Sequence, residues 1–257
     1  MSLLKLEVAS NIATLTIQSP PANALSINLL KSIDQQLNEI NQKENVKAVI
    51  IKGEGRFFSA GADIKEFTSL QNASDYKELA ENGQKVFSTI ENFPLPIIAS
   101  IHGAALGGGL ELAMACHIRI VTKTALLGLP EITLGIIPGF AGTQRLPYYV
   151  GTAKAAEMIL TGEPISGEEA ARLGLANHAV DDEELESFTI KLASKIAKKS
   201  KPTIKKVTEL VNFAKPSRFS EGCEAEAKAF SEVFGTEDAK EGIQAFLEKR
   251  KPDFKDK

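Results

Sequence analysis

The sequence predicts an α/β fold whose final third is helical, and three observations carry that prediction. A short apolar β run, a glycine-bearing turn and a helical stretch follow one another twice, at residues 46–70 and 97–116. The two runs, Val46 to Ile51 and Ile97 to Ile101, are short and apolar enough for strands buried in a sheet. From about Glu183 the apolar spacing is helical, over 183–199, 203–214, 220–234 and 237–250, with Pro202 and Pro216 as breaks. A chain of 257 residues makes one large α/β domain or a domain with a helical appendage. At that size it buries roughly three quarters of its unfolded surface, so it needs no disulfide or metal to hold it together.

Taken in order, Leu4, Leu6 and Val8 alternate with polar residues, and Ile12, Leu15 and Ile17 nearly do the same. With Ser10-Asn11 between them, the two runs read as a β-hairpin. Pro20-Pro21 stops the second strand. Ser26 caps a helix to about Glu44 that gathers Leu29, Leu30, Ile33, Leu37 and Ile40 on one face. After the strand at 46–51 come Gly53, Gly55 and the run Phe57 to Asp63, whose small residues let backbone approach a ligand. Asp63 stands near the start of a helix. A longer helix runs from Asp75 to Asn92 and is ended by Pro94 and Pro96. The strand at 97–101 then feeds three glycines, 107–109, and Ile118 to Val121 is a further strand. The chain is turn-rich from Gly128 to Pro147, helical from Thr152 to Leu160, and carries a capping box at Ser166-Gly167-Glu168-Glu169.

Composition narrows the function. Hydrophobic residues at 43% and charged residues at 25% are ordinary for a soluble enzyme, and a net charge of −3 counts against a nucleic-acid surface. Cys116 and Cys223 form no CxxC pair and the three histidines are scattered, so neither a disulfide framework nor a zinc site is expected. Reduced cysteines point to a cytoplasmic protein. The first residues lack the long apolar core of a signal peptide. Leu95 to Met114 is the most apolar region. Its His102, Glu111 and glycine cluster make it a buried strand and helix, not a membrane span.

The chemistry concentrates between Ile101 and Arg145. Glu111 lies among Leu110, Leu112, Ala113, Met114 and Ala115, in the segment that the glycines open. A carboxylate buried there is costly without a task. A second one, Glu131, follows Pro130 in a loop punctuated by Gly and Pro. A glycine turn opening a helix presents free N–H groups, and two carboxylates beside them suit proton transfer next to a carbonyl that becomes anionic. The plainer readings are a solvated helix glutamate, a loop carboxylate bonded to backbone, and glycines that only let a helix pack on a strand. Neither a phosphate loop nor a dinucleotide fingerprint is matched. No GxSxG occurs, and Cys116 and His117 are sequence neighbours, which does not orient a thiolate–imidazole pair. His102 reads as a hydrogen-bonded core residue. Lys65 and the cluster Lys249-Arg250-Lys251 read as phosphate contacts or as solvated surface.

Together these pieces resemble the enoyl-CoA hydratase/isomerase (crotonase) superfamily, its short-chain hydratases most of all. The matching stretches are PPANALS at 20–26, FFSAGADIKEF at 57–67, IHGAALGGGLELAMACHIRI at 101–120, GLPEITLGIIPGFAGTQRL at 128–146 and EGIQAFLEKRKPDFK at 241–255. The resemblance implies a spiral of ββα units over residues 1–195. It also implies a C-terminal helical region, 196–257, that builds a homotrimer or a hexamer of two trimers and closes the coenzyme A pocket. An acyl-CoA thioester would be the substrate, with no metal and no separate cofactor. By match, the N–H groups of Ala62 and Gly108 form the oxyanion hole. Glu111 holds and activates water, and Glu131 exchanges the proton at Cα. The same match brings Ala22, Ala24, Ala60, Asp63, Ile64, Lys65, Phe246 and Lys249 to the substrate and its coenzyme A. Isomerases of the superfamily work with a glutamate at the position of Glu131 alone, so Glu111 tilts the reading to hydration. Some relatives bind RNA, against which the acidic balance and both glutamates count. The sequence departs from the usual pattern at Pro20-Pro21, where a basic residue is missing, and at His117 and Leu127.

Overall fold

The computed structural model describes residues 3–67, 72–212 and 219–253. Pro216, Phe254, Lys255 and the expected ends of the 46–70 unit and of the 203–214 helix lie outside them. The hairpin forms as expected: β1 (Leu4–Ala9) pairs antiparallel with β2 (Ile12–Ile17). Ser10 and Asn11 both take left-handed φ, 50° and 65°, as a two-residue hairpin loop of matching twist requires. Parallel strands then add in turn: β3 (Ala48–Gly53) on β2, and β4 (Ile97–Ile101) on β3. Beyond these come two short strands, β5 (Ala104–Leu106) and, in the main sheet, β6 (Ile118–Thr122). With β7 (Leu126–Gly128), β8 (Ile165–Ser166) and β9 (His178–Val180), the two sheets run β1-β2-β3-β4-β6-β9 and β5-β7-β8. The second sheet goes beyond the sequence reading, because strands of two or three residues carry no period to read.

Strand alternation divides the core. Val49 and Ile51 of β3, with Ile97, Ala99 and Ile101 of β4, join the large core under α1 (Ile27–Asn41). Ala48, Ile50 and Ile98 face the other way, onto Leu185, Ala193 and Ala197 of a helix at Leu185–Ala197. Each fully buried Ile or Leu contributes about 1.5–3 kcal/mol. Ser26 caps α1 through its side chain, bonded to the Leu29 N–H at 3.2 Å. The remaining helices follow as α2 (Ile64–Phe67), α3 (Ala73–Glu91), α4 (Gly108–Ala115), α5 (Gly142–Thr161), α6 (Gly167–Leu173) and α7, the one just given. They end with α8 (Lys201–Asn212), α9 (Phe219–Phe234) and α10 (Glu237–Leu247). Ser166 caps α6 by accepting the Glu169 N–H at 3.1 Å, the first half of the expected box, while Glu169 Oε1 pairs with Lys154 and Arg172.

The chain is not turn-rich as far as Pro147: α5 begins at Gly142 and holds Pro147 within it. Pro147 reads as a breaker, yet the helix runs through it. Only Gly151, with φ 77° and ψ 159°, interrupts the helix, as a kink, so the expected 152–160 helix is its second half.

The C-terminal helices share a core with the body of the chain. Phe230 and Phe234 of α9 and Ile243 of α10 pack with Leu79 and Ala80 of α3 and with Ile136. α8 buries Ile204 and exposes Val207, Leu210 and Val211. Among the described residues no helix is long and apolar enough to cross a membrane. His102 is half-buried and not a core residue, and its Nε2 lies 2.8 Å from Gly55 O. Burial pushes the Cys116 thiol up to about 12, so it is inert at neutral pH. A Cys223→Ser variant, left with Cys116 alone, is therefore expected to show no thiol titration by a disulfide reagent at pH 8 until it is unfolded.

Candidate active site

The site is built on two glycine-bearing turns that lie against each other. The first, after β3, runs through Ser59, Ala60, Gly61 and Ala62. Asn23 holds it from below: its buried amide donates to Glu54 O and Phe57 O, both at 2.8 Å. The Ser59 hydroxyl donates to Asn23 O at 2.8 Å, and the Ala60 N–H to Ala22 O at 3.0 Å. Leu25 then bridges to Ala62: the Leu25 N–H bonds Gly61 O and the Asp63 N–H bonds Leu25 O. The Gly61 N–H bonds the Ser59 hydroxyl at 3.3 Å, so the N–H groups on either side of Ala62 are both used, and none of these bonds uses its own.

The second turn joins β5 to α4. Gly107 has φ 51° and precedes the helix, whose first N–H groups have no partner within it. The two turns touch closely. A methyl on Gly109 would lie 2.3 Å from Ser59 O, and one on Gly108 would lie 3.3 Å from the Ala62 nitrogen. Glycine at both positions is thus what lets the N–H groups of Ala62 and Gly108 share one small space. Among the described residues neither N–H has a backbone acceptor.

The far end of α4 is fixed by a buried cation. Arg119, 3% exposed, donates through Nη1 to Cys116 O at 2.6 Å and Ala113 O at 3.2 Å, and through Nε to Leu175 O at 2.6 Å. Its guanidinium stacks 4.3 Å from the centre of the Tyr149 ring, whose hydroxyl donates to Met114 O at 2.9 Å. A positive charge at the C-terminus complements the helix dipole and leaves the N-terminal donors on the cavity side.

Glu111 is 1% exposed. Its Oε1 accepts the Phe140 N–H at 2.8 Å and the Gly142 N–H at 2.7 Å, so its carboxylate lies at the N-terminus of α5. Two backbone donors and a helix N-terminus offset the cost of burying the charge. A methyl on Gly142 would come within 2.8 Å of that same oxygen. Glu131 rides on a single 3₁₀ turn, Pro130–Leu134, closed by Gly135 in the left-handed region at φ 72°. Its carboxylate sits beside Gly107, where an added methyl would lie 3.0 Å from Oε1. The turn is held from outside by α10, since a methyl on Gly242 would lie 2.1 Å from Leu134 O. Gly242→Ala is expected to lift α10 off that turn. It should cost about 1–3 kcal/mol in a denaturant melt and lower the activity with it.

Both carboxylates and both turns line one cavity of about 310 Å³. Leu134, Ile136, Ile137, Phe140, Phe230 and Phe246 supply its apolar wall. Phe140 is seated by Phe87, edge to face at 5.5 Å and 82°. Gly83 makes room for the Phe140 ring, which a methyl there would meet at 2.3 Å. The arrangement is a mainly apolar slot with two convergent N–H donors at one point and two carboxylates close by, which suits acid–base chemistry beside an anionic oxygen.

The family model described as enoyl-CoA hydratase/isomerase matches residues 7–257. The chain belongs to the enoyl-CoA hydratase/isomerase family. It is 58% identical over 256 residues to a probable enoyl-CoA hydratase of Bacillus subtilis (strain 168), covering 99% of each chain. It is 40% identical to the short-chain-enoyl-CoA hydratase of Clostridium acetobutylicum, covering 96% of this chain and 95% of that one. Among solved structures, the enoyl-CoA hydratase of Bacillus anthracis superposes with a TM-score of 0.79 at 36% identity, covering 100% of both chains. The fold is therefore the crotonase fold, α/β with a helical C-terminal region.

Of the residues that the family resemblance assigned to substrate, Ala60, Ala62, Ile64, Gly108, Glu111, Glu131 and Phe246 line the cavity. Ala22, Ala24, Asp63, Lys65 and Lys249 do not. Ala22 O and Ala24 O accept backbone bonds instead, from Ala60 and Ser26. Asp63 Oδ1 accepts the Lys65 N–H at 3.1 Å at the start of α2, and the Lys65 and Lys249 side chains are exposed. The departures from the family pattern are structural where the fold describes them. His117 Nδ1 accepts the Ile97 N–H at 3.0 Å, and Leu127 is fully buried in β7. The sequence reading missed Asn23, Ser59, Gln84, Glu91, Arg119 and Arg145. An arginine inside a Gly-rich apolar stretch, as Arg145 is, was the available signal.

Proposed function

We propose that this chain is an enoyl-CoA hydratase, adding water syn across a trans-2-enoyl-CoA to give the 3-hydroxyacyl-CoA, reversibly. The observation that carries the reading is Glu111, buried and held by two N–H groups in the same cavity as Glu131 and the paired turns. The thioester carbonyl accepts the N–H groups of Ala62 and Gly108, which stabilise the enolate-like oxygen. The Glu111 carboxylate holds water at Cβ and takes its proton as the C–O bond forms. Glu131 delivers a proton to Cα, and the two glutamates return to their starting states by exchange with solvent. The step uses no metal and no redox cofactor. Lys65 and Lys249 suit the phosphates of coenzyme A as exposed cations.

The exposed apolar residues of α8, together with Leu160 at 69% and Tyr148 at 50% exposure, favour assembly as a homotrimer or a hexamer of two trimers. A cytoplasmic location accords with two cysteines that form no disulfide, and the net charge of −3 counts against a nucleic-acid partner. The test is ultraviolet absorbance of crotonyl-CoA with the purified protein. Loss of the conjugated enoyl-thioester band is expected. No loss, with a 3-enoyl-CoA gaining the band, would make the protein a Δ3,Δ2-enoyl-CoA isomerase.

A further inference from the structure

Glu111 is held by a turn, and the turn is held by something else. Residues 139–142 present the Phe140 and Gly142 N–H groups to Glu111 Oε1 on one side. On the other side their carbonyls are gripped by buried polar side chains. Gln84 of α3 donates through Nε2 to Gly139 O at 3.0 Å. Arg145 of α5 donates through Nη1 to Phe140 O at 2.8 Å. Arg145 is itself 2% exposed, and its Nη2 lies 3.2 Å from Glu91 Oε2 of α3, a pair also almost fully buried. Phe140 is thus fixed through both of its backbone groups, its N–H on Glu111 and its C=O on Arg145. Ala141, next along, sits at φ 71°, a left-handed conformation that an alanine keeps only when its surroundings impose it.

We infer that Arg145, anchored by Glu91, is a positioning residue for the water-activating glutamate: it sets the 139–142 turn that aims two N–H groups at Glu111. A buried ion pair is a poor device for stability alone, since apolar residues of like volume do as well or better. Here the guanidinium fits a second task, because its planar fork reaches a carboxylate and a carbonyl at fixed angles. The inference rests on the proposed hydration. It extends that reading from the carboxylate to the ion pair that orients it, neither partner of which lines the cavity.

The experiment compares Arg145→Gln, the double variant Glu91→Gln/Arg145→Gln and Arg145→Lys with the wild type. Crotonyl-CoA hydration gives kcat and KM, and a thermal melt checks each fold. The double variant leaves no buried charge without a partner, so it stays interpretable if Arg145→Gln alone fails to fold. Misplacing a catalytic group by about 1 Å costs up to about 100-fold. Accordingly kcat is expected to fall about 10- to 100-fold in both glutamine variants. KM should stay within about threefold, because the turns at Ala62 and Gly108 are untouched. Arg145→Lys, which keeps the charge and N–H donors on a single nitrogen but loses the planar fork, should recover part of the loss. A folded double variant with wild-type kcat overturns the inference, and so does a loss that appears in KM. A wild type that hydrates nothing overturns the proposed reaction and this inference with it.

Discussion

Glu111→Gln and Glu131→Gln are each expected to lower kcat for crotonyl-CoA hydration by on the order of 10²- to 10⁴-fold, the range of a lost general acid or base. The fold should survive both changes. A glutamine at 111 keeps the size of the side chain, and its amide oxygen still accepts the Phe140 and Gly142 N–H groups that bind Oε1 now. What it loses is the capacity to take a proton. At 131 the residue lies on a half-buried turn fixed by its own backbone, with the Gly135 and Ile136 N–H groups bonding back into it. The side-chain change leaves those bonds alone. Steady-state kinetics with a thermal melt of each variant checks the prediction. KM should move little, since the acyl slot and the paired N–H groups are intact.

Gly108→Ala should cost about 10²- to 10³-fold in kcat, the range for one lost oxyanion donor. Gly108 does not occupy the left-handed region, so alanine meets no backbone strain there. The effect is spatial. The new methyl lies 3.3 Å from the Ala62 nitrogen and 3.3 Å from the Phe140 ring, in the space where a carbonyl oxygen would meet both donors. The melt should stay near wild type while turnover falls. A variant equally damaged in both would place the glycine's value in packing alone.

Much of this was legible in the chain because the informative residues are neighbours. The three glycines stand one residue before Glu111, and Ala62 lies in a run of small residues, so a reader of the sequence meets the donors and the carboxylates as short motifs. The supports are far apart. Gln84 reaches Gly139 across 55 residues, and Arg145 reaches Glu91 across 54. No local period links them, because the packing of α3 against the body of the chain is what brings them together. The same holds for Asn23, whose amide joins the loop before α1 to the loop after β3. The small second sheet was illegible for a different reason, strands too short to alternate. The early part of α5 was hidden by Pro147, which read as the end of a turn-rich stretch although the helix runs through it and kinks only at Gly151.

The proposed hydration divides the chemistry between two glutamates, with water at the buried Glu111 and the Cα proton at the half-buried Glu131. Proton exchange at Cα of a saturated thioester needs the second role and not the first. Butyryl-CoA in deuterated water, followed by loss of its Cα proton signal in nuclear magnetic resonance, separates them. The prediction is exchange with the wild type and with Glu111→Gln, and none above background with Glu131→Gln. Exchange that survives in Glu131→Gln and disappears in Glu111→Gln would contradict the division and reverse the assignment of the two residues.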